Sequence, residues 1–513
     1  MYIKMGNLKI SLLVSLFLFI TTSTFAATYY ISPAGSDSSG SGTFGSSWAT
    51  LSTAFSNMTG GDTLIVKDGL YIGADNHINN NSHPPRGSTG AWTTIKAEHD
   101  GAVIFSGLGD GLFFILPGNT LNLYWQFEGI LWCNTGGDNI YLGKSAYVKF
   151  LRCGAYDSGN GNNSNFTVGA GCDYILFENC YAYGNGRYKF NMYKSNHIIL
   201  RQCVGRLDRD DAQGEPIAVF SVYSCSDVEV QNCIAIDTDQ TGKYLNVEVW
   251  GGPFIVPSTN LDSYRINFNR CIGINIKLGG LNTTGNEYHM CHNVTFKDCV
   301  LWDVSLTGVG AYLYNLKGLN DTIMNCTFGI NTSDTRIFSS YNSIGYSNNT
   351  VFKNNVVYKA TGTPILFDNI ETEDYNDLYQ NQGRGKGAHD KTLNPIWNVS
   401  SNPKGALKYI VKVETASNLS GKGEEEGADI GANALKMIGK TGTLWGEPGY
   451  NVEQNMDMWP FPNEDLIRTK MKAYNAGGVS GNRGFCADGT TLTKYIWEYL
   501  GNTIPPEIYG KNK

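Results

Sequence analysis

The chain has 513 residues, a formal net charge of −7 and a charged fraction of 17 %. That length holds one large core or two domains, and the low charge without a long basic run argues against nucleic-acid binding. With 61 glycines and 12 % aromatic residues, the composition suits a turn-rich β protein.

At the N-terminus Lys4 and Lys9 precede an apolar run over 10–20, and Thr24-Phe25-Ala26 offers small residues before a cleavage point. The pattern predicts a secretory signal over 1–26, cleaved after Ala26, and a periplasmic or extracellular protein. An uncleaved anchor is the alternative, against which the run is short. Next come a strand over 29–32, a Gly/Ser loop, an amphipathic helix over 48–58 and a strand over 63–67. A helix there would plug the first exposed edge of a β architecture.

From about residue 95 to 380 one short phrase recurs. YVKFLRC, YILFENC, HIILRQC, VEVQNC, YRINFNRC, VTFKDC and TIMNC end in Cys153, Cys180, Cys203, Cys233, Cys271, Cys299 and Cys326. Asn355 ends an eighth phrase. Each phrase alternates apolar and polar residues, as a half-buried strand does. A strand that recurs at such a period predicts one coil of a parallel β-helix, about ten coils in all, with neighbours ~4.8 Å apart. Cys172, Cys225 and Cys291, with Ser145, Ser195 and Ser263 in other coils, stand eight residues before the ladder position and predict a tight stacked corner. Stacked interior cysteines act as small apolar fillers, so most are expected as thiols.

TYYISPAGSD at 28–37, GGDTLIVKDGLY at 60–71, TIKAEHDGAVIFSG at 94–107 and GADIGA at 427–432 resemble the secreted right-handed parallel β-helix proteins of the pectate-lyase-like superfamily, over residues 28–432. The resemblance implies a single-stranded right-handed solenoid. It leaves activity open, because that superfamily holds lyases, hydrolases, epimerases, tailspikes and adhesins. The expected organisation is a signal at 1–26, the β-helix at 27–435 and a C-terminal capping extension at 436–513. Strand 408–413 and helices over 463–474 and 490–500 are expected toward the end, with Asn463 as a helix cap.

Aligning coils on the small corner residues puts Tyr193, Tyr223, Trp250 and His289 in one outward row, with Lys189, Asn191, Asn246 and Glu248 beside it. Aromatic and amide groups in such a row suit sugar rings and hydroxyls; a stack that merely covers the sheet is the alternative. The loop at 205–216 is the densest charge cluster. Its Asp208, Asp210 and Asp211 suit Ca²⁺, a hard cation that takes oxygen ligands, although Arg206 and Arg209 compete for them.

In the polysaccharide lyases that the chain resembles, a cation or cationic side chain neutralises a uronate carboxylate and a Lys or Arg removes the C5 proton. That resemblance assigns Lys189 as base and Arg187, Arg206 or Arg209 as carboxylate clamp. The expected function is a lyase acting on an acidic glycan. The alternatives are a non-catalytic glycan-binding or structural β-helix, and a hydrolase or tailspike-like depolymerase.

Overall fold

The computed structural model describes residues 26–208, 218–238, 251–276, 280–285, 288–304, 314–316, 318–331, 338–340, 349–360, 370–379, 387–395, 407–414, 417–476 and 478–509. The expected signal, apart from Ala26, lies outside them.

The corner that each cysteine marks is made by the residue before it. Arg152, Asn179, Gln202, Asn232, Arg270, Asp298, Asn325 and Asn354 all have φ between +53° and +56°. This left-handed backbone is disfavoured for residues with a Cβ and is best tolerated by Asn and Asp. It turns the chain sharply and aims the following side chain inward. The Cys153 thiol then donates to the Phe127 carbonyl of the preceding coil at 3.4 Å, and Cys180 to Phe150 at 3.2 Å. Cys233 and Cys271 repeat the bond to Leu200 and Val230. Where the cysteines stop, Asn355 and Asn376 make the same bond to the Ile323 and Phe352 carbonyls at 3.1 and 3.0 Å. All twelve cysteines are buried and free. Burial pushes the Cys172 and Cys225 thiols up to about 12, so they serve as neutral donors.

A full coil contributes a strand to each of three parallel sheets, as Ser145–Leu151, Gly154–Tyr156 and Ser164–Val168 do. The second sheet has 12 strands, so the solenoid runs beyond the ten or so coils that the phrases predict. Handedness follows the right-handed crossover of parallel strands. Phe166, Phe190, Phe220 and Phe254 stack inside at centroid spacings of 5.0, 5.0 and 5.4 Å. Helix α1, Leu51–Asn57, is capped by the Thr50 hydroxyl and buries Leu51, Ala54 and Phe55 in the first coils.

The C-terminal extension does not sit over the end of the solenoid as an end cap would. It climbs back along the flank. Gly431 bonds the Asn354 carbonyl, Ile438 the Asn232 side chain and Gly442 the Glu178 carboxylate, so the chain passes the coils in reverse order. Helices α2 (Glu464–Lys472) and α3 (Leu492–Trp497) then cover the outer face of the second sheet, where Tyr181, Tyr183, Ile234, Ile236 and Trp302 pack with Trp459, Ile467 and Trp497. Asn463 precedes α2 but makes no side-chain cap bond. No strand forms over 408–413, where one bridge joins Lys412 to Asn433. Among the described residues no helix is long and apolar enough to cross a membrane.

Arg206 pins this strap. Fully buried, it pairs with Asp208 at 2.9 Å and donates to the Gly481 and Met471 carbonyls at 3.0 and 2.9 Å. Arg206→Ala leaves Asp208 buried with one partner fewer. Such a change costs about 3–5 kcal/mol; a urea denaturation midpoint like the wild type would contradict this assignment.

Stability also carries a pH signature. Burial raises Asp321 from 3.8 to about 8 and Asp298 to about 7. The native state therefore holds these protons to higher pH than the unfolded chain, and stability falls as pH rises from about 4 to about 8. The melting temperature should be higher at pH 5 than at pH 8, and Asp321→Asn should flatten the difference. An unchanged pH slope in that variant would sink the assignment.

Candidate functional site

On the outer face of the third sheet, Phe114, Tyr141, Thr167, Asn191 and Ser221 follow one another in register. Beside this row Tyr193 pairs with Tyr223, ring centroids 5.2 Å apart. Together with the corner loops they bound a cleft of about 560 Å³ lined by Asp138, Tyr141, Asn162, Thr167, Arg187, Tyr188, Asn191, Tyr193, Tyr223 and Asn260.

The aromatic walls are held in place. Tyr141 stacks on Phe114 at 4.9 Å. It also leans across Gly169, where a Cβ would stand 2.6 Å from the Tyr141 hydroxyl. The Tyr223 hydroxyl meets Thr259 Oγ1 and accepts from Asn260 Nδ2 at 2.9 Å. Lys194 Nζ lies 5.0 Å from the Tyr193 ring centre.

Two polar groups stand out at the corner side. Asp138 accepts from the Ser164 amide at 2.6 Å and the Thr167 hydroxyl at 2.9 Å. Burial nonetheless pushes its carboxyl up to about 6, against the pull of those two bonds. Arg187 lies beside Tyr188, its guanidinium carbon 5.8 Å from the ring centre. Burial raises the Tyr188 phenol, and the Arg187 charge and hydrogen bond oppose that rise.

Four of the residues expected from sequence, Arg187, Asn191, Tyr193 and Tyr223, meet in this cleft. Lys189 does not. It is fully buried, with Nζ donating to the Gly184 and Gly186 carbonyls at 2.5 and 3.2 Å. Its Cβ faces inward toward Gly205, while Phe190 next to it joins the interior phenylalanine stack. Strict alternation fails where the strand leaves the corner. Lys189 is thus sealed off from anything bound outside.

Arg206 is likewise committed to the strap. Asp208 is fully buried, and its oxygens face Arg206 and Arg483 at 2.9 and 2.6 Å and accept from the Gly184 amide at 2.9 Å. Those cations hold its carboxyl below the usual range despite burial. Two guanidinium groups leave it a poor cation ligand. His289 is not in the tyrosine row; it lies 3.3 Å from Asp262, as does His292. In the third sheet the strand beside the one that carries Tyr223 is Gly252–Ser258, with Ile255 next to Ser221, so Trp250, expected beside Tyr223, precedes that strand. Residues 259–262 lengthen the corner there and displace the anchor. Arg209, Asp210, Asp211, Asn246, Glu248 and Trp250 lie outside the described residues. A separate group that could hold a metal ion, Asp68, Glu98 and His99, is exposed at a corner between the first and second sheets.

Asp138, Tyr141, Asn162, Thr167, Tyr188 and Asn260 were not anticipated. One signal was available: Tyr141 stands four residues before Ser145, as Asn191 does before Ser195 and Ser221 before Cys225.

No protein-family model matches the chain, and no curated protein matches it. Among solved structures it is similar to the pectate lyase Pel9A, with TM-score 0.46 and 16 % identity over 79 % of this chain and 95 % of that one. A rhamnogalacturonan lyase gives 0.43 and 13 % over 72 % and 87 %. An alginate lyase from Paenibacillus sp. str. FPU-7 gives 0.41 and 15 % over 65 % and 97 %. The parallel β-helix rests on the strand order and register above, and these likenesses decide neither substrate nor reaction.

Asp138 should titrate with a midpoint near pH 6. Carboxyl ¹³C NMR of aspartate-labelled protein, with the signal assigned by its loss in Asp138→Asn, measures this. A midpoint near 4 would show an ordinary solvated carboxylate instead.

Proposed function

We propose that this protein binds an acidic polysaccharide in the third-sheet cleft and cleaves it by β-elimination. The observation that carries the reading is the placement of Arg187 among Tyr141, Tyr193 and Tyr223 on one concave face. Tyrosine rings pack against the apolar faces of pyranoses. A guanidinium pairs with a carboxylate through two parallel hydrogen bonds. Neutralising the uronate carboxylate in this way acidifies the C5 proton.

With Lys189 removed from consideration, the base falls to Asp138. Its raised carboxyl is ionised above about pH 6 and matched to neutral operation. Asp138 takes the C5 proton, the C4–C5 double bond forms and the C4–O4 bond breaks. Tyr188, protonated at neutral pH, gives its proton to the departing O4 and regains one from solvent.

Arg187→Gln should lower turnover by about 10²-fold or more, as loss of one charge-stabilising donor does. The assay is the ultraviolet absorbance of the unsaturated uronate product from a panel of acidic polysaccharides. Wild-type activity should rise with pH through about 6, and Asp138→Asn should abolish turnover. A flat wild-type trace with retained glycan binding would favour a non-catalytic glycan-binding protein, a reading to which the burial of Lys189 lends weight. Full activity in Arg187→Gln would remove the clamp.

A further inference from the structure

The loops that wall the cleft have a second flank. Three successive corners lead from the second sheet to the third, at 134–139, 157–163 and 184–187. Their later residues, Asp138, Asn162 and Arg187, face the cleft. Their earlier residues, Asn134, Asn160 and Asn185, line another hollow of about 550 Å³, closed on its far side by Tyr474 and Ala476 of the strap. The two hollows are nearly equal in size and lie one loop apart.

Backbone forms part of the second hollow. Gly109, Gly136 and Gly159 come from consecutive coils and stack tightly. A Cβ on Gly136 would stand 2.2 Å from the Gly109 carbonyl, and one on Gly159 would stand 2.2 Å from that of Gly136. Side chains are excluded there, which keeps the space open. Asn185 Nδ2 donates to the Ser158 carbonyl at 2.9 Å and to Asn160 Oδ1 at 3.0 Å. Its own Oδ1 is buried and accepts no hydrogen bond.

The charge differs from that of the cleft. Among the described residues no basic side chain lines this hollow, and the one carboxylate, Asp157, accepts from the Asn185 amide and the Tyr474 hydroxyl, each at 2.8 Å. A carboxylate with no cation beside the ligand disfavours a uronate. Amides and hydroxyls that both donate and accept suit an uncharged polyol.

We propose that this hollow is a second saccharide site, specific for a neutral pyranose. The inference rests on the reading of the cleft as an acidic-sugar site: together they make the ligand a heteropolysaccharide in which charged and neutral residues alternate or branch, and which straddles the loop at 157–163. A plain polyuronate would fill only the cleft.

Saturation-transfer NMR tests this with methyl galactoside, glucoside, mannoside and rhamnoside as neutral probes and trigalacturonate as the acidic probe. At least one neutral glycoside should receive saturation from the wild type. Asn160→Trp and Ala476→Trp fill the hollow from opposite walls; each should weaken that signal by about tenfold or more and leave trigalacturonate binding intact. Arg187→Gln should do the reverse. The site is overturned if no neutral glycoside binds the wild type, if the signal survives both tryptophan variants while they melt like the wild type, or if Arg187→Gln removes it. Absence of trigalacturonate binding, with the neutral signal behaving as expected, would instead overturn the heteropolymer assignment through the cleft reading on which it rests.

Discussion

The whole molecule depends on one corner. Every coil must turn from the first sheet to the second without leaving backbone groups unpaired. From Cys153 to Asn376 it does so with a left-handed residue followed by an inward side chain that donates to the coil below. A thiol fits this place because it is small, apolar enough for the core and still a weak donor. Asparagine serves equally well when its amide reaches the same carbonyl, as at Asn355 and Asn376. Backbone strain at each corner is thus offset by the stacking of identical corners. Repetition, rather than any single contact, holds the solenoid together.

That repetition explains what could be read from the sequence. The cysteine ladder and the small residues at Cys172, Ser195, Cys225 and Cys291 report local backbone geometry that recurs, so they gave the fold, the coil boundaries and the tyrosine pair Tyr193–Tyr223. What escaped was set by departures from the repeat. Lys189 turned inward because alternation fails at the mouth of a corner. The row beyond Tyr223 was misjudged because four residues, 259–262, lengthen one corner and shift the anchor. Arg206 and Asp208 looked like a charged surface loop because their partners, Met471, Gly481 and Arg483, lie more than 260 residues further along the chain. No local pattern announces such a contact. Asp138 escaped for the same class of reason: its raised carboxyl comes from burial, which a lone Asp in a turn does not reveal.

The strap changes the division of labour among the three sheets. It occupies the outer face of the second sheet and runs along the corner beside the first. Among the described residues the third sheet bears the cleft on its outer face and is entered by long corners. Because the parallel ladders pair the strand backbones, the loops at 134–139, 157–163 and 184–187 can carry polar side chains without weakening the core. Rigid strands hold the aromatic rows, and the corners supply charge. The tail supplies Tyr474 and Ala476 to the second hollow, on the far side of the corner loops from the cleft.

The central claim is that an acidic sugar lies on the third sheet with its carboxylate against Arg187. A crystal structure with bound trigalacturonate tests it most directly. The account predicts one uronate carboxylate in a paired contact with the Arg187 guanidinium and sugar rings against Tyr141 and Tyr193. Sugar bound on another face, or in the cleft with its carboxylate turned away from Arg187, would contradict it.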